Sequence, residues 1–200
     1  VDERWNHNIE YHRVIHAALD PNLASVLDVG CGDGLLAAEL ARRGASVTAI
    51  DRDAASIERA RDSASDAGVE FVVGDFLADP FAPASFDAVV SVAAVHHMDE
   101  RMAFGRMAEL VRPGGTVAVV GLARSRRPKD VGWDVAGAVA TRVARRRHGG
   151  YWESDALTVW PPPTSYRDIE RLAADVLPGS TFRRHLMWRY SIVWTKPVVT

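Results

Sequence analysis

The run Val26-Leu27-Asp28-Val29-Gly30-Cys31-Gly32-Asp33-Gly34 constrains this chain more than any other stretch. An apolar segment breaks into alternating glycines and then into Leu35-Leu36-Ala37-Ala38-Glu39-Leu40, which has helical spacing. The order is strand, glycine loop, helix. Such glycines open backbone angles closed to other residues and let a ligand approach the main chain without meeting a Cβ atom. Tight strand-to-helix packing asks for the same residues, so the choice falls to signals further along.

Those signals are acids placed at strand ends. Ala45 to Ile50 forms a second apolar strand running into Asp51, 21 residues beyond Gly30. A carboxylate there can accept hydrogen bonds from ribose hydroxyls, with Arg52 beside it. Asp53 is placed to cap the helix from Ala54 to Ser65, which leaves Asp51 for a ligand. Val69 to Val73 reads as a third strand closing on Gly74-Asp75-Phe76, and Phe86 to Val92 as a fourth. NAD-type dinucleotides share the acid after the second strand, but their fingerprint wants a third glycine three residues after the second, and position 35 is Leu.

The G-x-G-x-G spelling with Asp28 two residues ahead resembles motif I of the class I S-adenosylmethionine (SAM) methyltransferases. The resemblance implies that Asp28, Gly30, Cys31 and Gly32 lie along the methionine part of SAM. It implies also that Asp75 meets the adenine amino group, with Phe76 flanking the ring. After the fourth strand, Ser91-Val92-Ala93-Ala94-Val95-His96-His97 resembles the corresponding motif of the small-molecule methyltransferases of ubiquinone and menaquinone biosynthesis. Ser91 is thereby a cofactor-side candidate, and His97, then His96, are the candidates facing the transferred methyl. A histidine that merely orders the loop is the alternative. Leu110 to Gly115 resembles the turn that precedes the fifth strand in that family.

Ahead of the first strand, apolar residues at 11, 14, 15, 18 and 19 fit one helical face, and a helix over 4–20 is expected. In related methyltransferases such a helix covers the cofactor, so His7 and Tyr11 are candidates for lining the site; docking for stability alone is the competing account. His12 and His16 have the spacing of a metal pair, yet no acid of the H-E-x-x-H kind lies between them and no third ligand follows, so no metal is expected. Strand and helix stop alternating over about 122–166. That segment holds an amphipathic helix, Val131 to Arg147, and then Tyr151, Trp152, Trp160 and Pro161-Pro162-Pro163. It reads as a lid over an apolar substrate or an insertion with its own small core. Thr181 to Trp188 and Tyr190 to Thr195 form a terminal strand pair, which a dinucleotide fold does not require.

At 200 residues with 48% hydrophobic content, one domain over 1–200 is expected. A net charge of -2 gives no electrostatic reason to seek nucleic acid or an anionic membrane. The cationic end of the 131–147 helix, Arg145-Arg146-Arg147-His148, suits the helix dipole. The single cysteine, Cys31, cannot form an internal disulfide, and no signal-like segment is evident, so a cytoplasmic setting is expected.

The expected fold is a three-layer Rossmann-like α/β architecture with a mostly parallel seven-stranded sheet and an antiparallel last strand. The expected function is SAM-dependent methyl transfer to a small, partly apolar metabolite, without nucleic acid or membrane contact and with the oligomeric state open. A non-catalytic protein that binds SAM or S-adenosylhomocysteine, and an NAD(P)-dependent oxidoreductase, are the alternatives.

Overall fold

The computed structural model describes residues 5–126, 128–152 and 160–198. Seven strands form one sheet in the order β3-β2-β1-β4-β5-β7-β6. Strands β1 (Ser25–Val29), β2 (Ser46–Asp51), β3 (Glu70–Val73), β4 (Phe86–Val92) and β5 (Val111–Leu122) are mutually parallel, and β7 (Arg189–Thr195) runs antiparallel to both β5 and β6 (Thr181–Arg184). Strand order reverses between β1 and β4, which opens a crevice at the carboxyl ends of these strands.

The central strands are apolar on both faces because both faces are covered. Leu27, Val29, Val89, Val117, Val119 and Ile192 project to one side, against helices α5 (Glu100–Leu110) and α7 (Tyr166–Val176). Val26, Val47, Ala49, Ala88, Val90 and Val120 project to the other, where α2 (His12–Ala18) and α3 (Leu35–Arg42) pack. Helix α4 (Ala54–Ser63) covers β2 and β3, and its N-cap Asp53 accepts from Ser56 N, as the sequence predicts. At the far end from the crevice, buried Asp87 accepts from Ala24 N and Ser25 N at 2.8 and 3.0 Å and pairs with Arg112. These contacts tie the β1, β4 and β5 ends together.

Three elements differ from the sequence reading. The expected helix over 4–20 breaks at Tyr11 into α1 (His7–Glu10) and α2, and residue 4 lies outside the described residues. Asn6 caps α1 by accepting from Asn8 N and Ile9 N, while Tyr11 takes φ −97°, ψ 1°. The turn at 112–115 is absorbed into β5 as a register irregularity, with Gly114 at φ 80° donating to Lys196 O. Helix α6 (Val131–Arg147) has the expected span, but Val135, Val139 and Val143 face solvent. It docks through its small residues instead: buried Gly137 sits on the Met187 backbone, and Ala140 and Ala144 lie against the sheet's α3-side core. Of the 122–166 segment, residues 127 and 153–159 lie outside the described residues.

Candidate active site

The crevice at the β1/β4 switch holds a cavity floored by the glycine loop. Gly30, Gly32 and Gly34 take φ of 69°, 52° and 73°. A Cβ at Gly30 would overlap that of Ala94, so β1 and β4 close together only over a glycine, whereas a Cβ at Gly32 would meet nothing within 4 Å. Asp51 props the loop, accepting from Gly32 N at 2.9 Å and from Asp53 N at 2.9 Å.

Asp28 is the electrostatic centre of the floor. It is 2% exposed, lines the cavity, and its Oδ2 is buried without a hydrogen-bond partner among the described residues. Burial, then repulsion from Asp51 and Glu39, raises its pKa to about 7. A buried acceptor left open on a cavity wall asks for a donor from a ligand. Cys31 also lines the cavity, and burial pushes its thiol far up, so it presents a neutral sulfhydryl rather than a nucleophile.

The side walls come from the other strand ends. Asp51, Arg52, Asp75 and Phe76 line the cavity, and Asp75 accepts from Leu77 N at 3.0 Å. From the 3₁₀ turn Val95–His97 after β4, His97 lines the cavity. Burial and then the neighbouring Arg52 lower its pKa, so the ring is neutral near pH 7 and can accept a proton.

Four expected site residues lie elsewhere. His96 is 6% exposed beside His97, ring centroids 4.1 Å apart, and does not line the cavity; among the described residues its Nδ1 has no partner. Ser91 is fully buried and donates to Val29 O at 2.8 Å, bridging β4 to β1 without lining the cavity. Tyr11 and His7 do not line the cavity either. The break at Tyr11 turns its ring into the core, where its hydroxyl donates to Leu186 O at 2.7 Å, and His7 packs edge-on to Trp5 and Tyr151 with its Nε2 3.1 Å from Thr141 Oγ1.

The N-terminal segment does cover the cavity, with different residues. Asn6, Asn8, Ile9 and His12 line it, joined by Trp152 from the 122–166 segment, whose N–H donates to Trp5 O at 2.7 Å. No sequence signal singles out Asn6 or Asn8; the capping pattern of α1 becomes visible only once the helix break is known. His12 and His16 both bond Glu39, at 3.1 and 2.8 Å, and so anchor α2 on α3.

A parallel sheet with an antiparallel β7, a glycine loop at the switch point and acids at three successive strand ends define a nucleotide-cofactor fold of the methyltransferase kind. A family model described as a methyltransferase domain matches residues 26–115. An uncharacterized methyltransferase of Mycobacterium tuberculosis is 41% identical over 199 residues, covering 99% of this chain and 100% of the relative. A ubiquinone biosynthesis O-methyltransferase of Alkalilimnicola ehrlichii is 42% identical over 118 residues, covering 56% of this chain and 47% of that protein. Among solved structures, a SAM-dependent methyltransferase of Methanosarcina mazei superposes with a TM-score of 0.65 at 20% identity, over 93% of this chain and 98% of that one. The chain belongs to the class I SAM-dependent methyltransferases.

Proposed function

We propose that the chain holds SAM in the β1/β4 cavity and directs its methyl group to a small, partly apolar metabolite beside His97. The observation that carries this reading is the unpartnered Asp28 Oδ2, set under a glycine loop that leaves open space at Gly32. Such an acceptor suits the ammonium of an amino-acid moiety. Asp51 and Arg52 suit a ribose, and Asp75 with Phe76 suits an adenine.

When bound, SAM supplies an activated methyl and its own leaving group. The protein's task is to align the acceptor and exclude water. Ile9, Met98 and Trp152 give the cavity apolar walls, which is the support for a partly apolar acceptor. His97, neutral near pH 7, takes the proton of an acceptor hydroxyl as that oxygen attacks. The site's other requirements are met by position alone. Among the described residues no helix is long and apolar enough to cross a membrane, and a cytoplasmic location is part of this proposal.

Calorimetric titration with S-adenosylhomocysteine and, separately, with NADH tests the cofactor. Binding of the first, lost in Asp28→Ala, is expected; binding of NADH alone overturns the reading. Once an acceptor is found by metabolite screening, His97→Ala should lower turnover by about 10²-fold or more at unchanged S-adenosylhomocysteine affinity. Unchanged turnover would remove His97 from the chemistry.

A further inference from the structure

Arg189 opens β7 opposite Leu122 at the carboxyl end of β5, the same end of the sheet as the crevice. It is 6% exposed, and among the described residues no Asp or Glu side chain pairs with it. Its Nη1 donates to Met187 O at 3.1 Å and its Nη2 to Asn8 Oδ1 at 2.6 Å, while Nε is buried with no partner among the described residues. Burial lowers its pKa only to about 10, so the group is cationic near neutral pH. A buried cation served only by neutral oxygens is costly unless something anionic completes it.

The geometry of the guanidinium edge is specific. Nε–H and Nη2–H share one edge of the guanidinium, the edge that a carboxylate meets with two parallel hydrogen bonds. Here that edge has one position open and the other held by the amide oxygen of Asn8, a residue that itself lines the reaction cavity. Asn8 Oδ1 thus stands where one carboxylate oxygen would sit. Arg189 does not itself line the cavity; Asn8, on the one-turn helix α1, lines it and bonds Arg189, so the edge meets a ligand only when the Asn8 side chain moves aside. Buried His96, whose Nδ1 also lacks a partner, lies near enough for Arg189 to help hold it neutral.

We propose that Arg189 is the anchor for a carboxylate on the methyl acceptor, taken up through its Nε/Nη2 edge in exchange for Asn8. The acceptor class is then a small carboxylic acid, held by its acid group on the β5/β7 side. The methionine carboxylate of the cofactor has the same chemistry, and it would lie over β1. The proposal rests on the methyltransferase reading above.

The test uses benzoate and benzamide as probes, titrated into protein saturated with S-adenosylhomocysteine. Benzoate should bind at least about tenfold tighter than benzamide, as expected for a bidentate charged pair against a neutral amide. Asn8→Asp supplies a fixed carboxylate to Nη2 and should abolish that preference while leaving the melting temperature equal or higher. Arg189→Met should abolish it too; if that variant fails to fold, Asn8→Asp and the wild-type comparison decide. Equal binding of the two probes, no binding of benzoate, or a preference surviving in Asn8→Asp overturns the proposal. A further arm compares S-adenosylhomocysteine with 5′-methylthioadenosine, which lacks the carboxylate. If Asn8→Asp weakens only the former and benzoate competes with it, Arg189 serves the cofactor and the acceptor assignment falls. Failure of S-adenosylhomocysteine to bind at all is seen in the first titration and overturns the methyl-transfer reading itself.

Discussion

A carboxyl group with a pKa of about 7 sits at the floor of the cavity, and its charge is therefore adjustable near neutral pH. Asp28 owes this to burial first and to Asp51 and Glu39 second. Because its folded-state pKa lies above the usual carboxylate value, its contribution to stability is present in acid and fades as pH rises through about 7. A bound ammonium reverses the balance by favouring the carboxylate. S-adenosylhomocysteine should therefore bind more weakly at pH 6 than at pH 8, by up to about tenfold per pH unit below the Asp28 pKa. Calorimetry in two buffers of different ionisation heat should register proton release at pH 6 and almost none at pH 8. In Asp28→Asn both effects should vanish. Glu39, on α3, illustrates the opposite case. Burial opposes its ionisation, yet hydrogen bonds from His12 and His16 hold its pKa down to about 2, so it stays charged as an anchor for α2.

Among the elements, β5 and β7 show how tightly an antiparallel addition closes this sheet. Gly121 pairs with Tyr190, and a Cβ at 121 would overlap the Tyr190 ring. Tyr190 is fully buried, stacked on Phe182 with ring centroids 5.6 Å apart, and has nowhere to retreat. Gly121→Ala should thus cost roughly 1–3 kcal/mol in urea unfolding. Tyr190→Leu should restore part of that loss in the double variant, and additive effects would show that the overlap is relieved elsewhere. Elements with strong local patterns were legible before the structure. The apolar runs of β1, β2 and β4 and the glycine loop announce themselves because every residue in them answers a local demand. The break at Tyr11 and the outward face of α6 were not legible. Tyr11 leaves the helix because its hydroxyl finds Leu186 O, 175 residues away, and α6 docks by its small side because Gly137 meets the Met187 backbone. Both depend on where β7 begins. Within the site, Asp28, Asp51 and Asp75 stand at strand ends that periodicity locates, whereas Asn8 and Arg189 meet only through the tertiary fold.

Across the whole molecule, the segment around residues 5–11 and the segment around 185–190 are fastened to each other at the rim of the cavity. Tyr11 donates to Leu186 O, Arg189 donates to Asn8 Oδ1, and the Tyr11 and His185 rings lie 5.2 Å apart. Tyr11→Phe removes one of these ties without a change of shape. It should lower stability by about 1 kcal/mol and speed hydrogen exchange across 7–18 more than across β1 or β4. Equal exchange in both regions would mean that the cover opens only with global unfolding. On a ribosome, the same fastening sets an order of events. Strands β1 to β5 are complete once Leu122 has emerged, but Asn8 has no Arg189 and Tyr11 no Leu186 until some 65 residues later. A nascent chain would pass through a stage with its cofactor floor built and its roof unlatched, the latch closing only when β7 arrives.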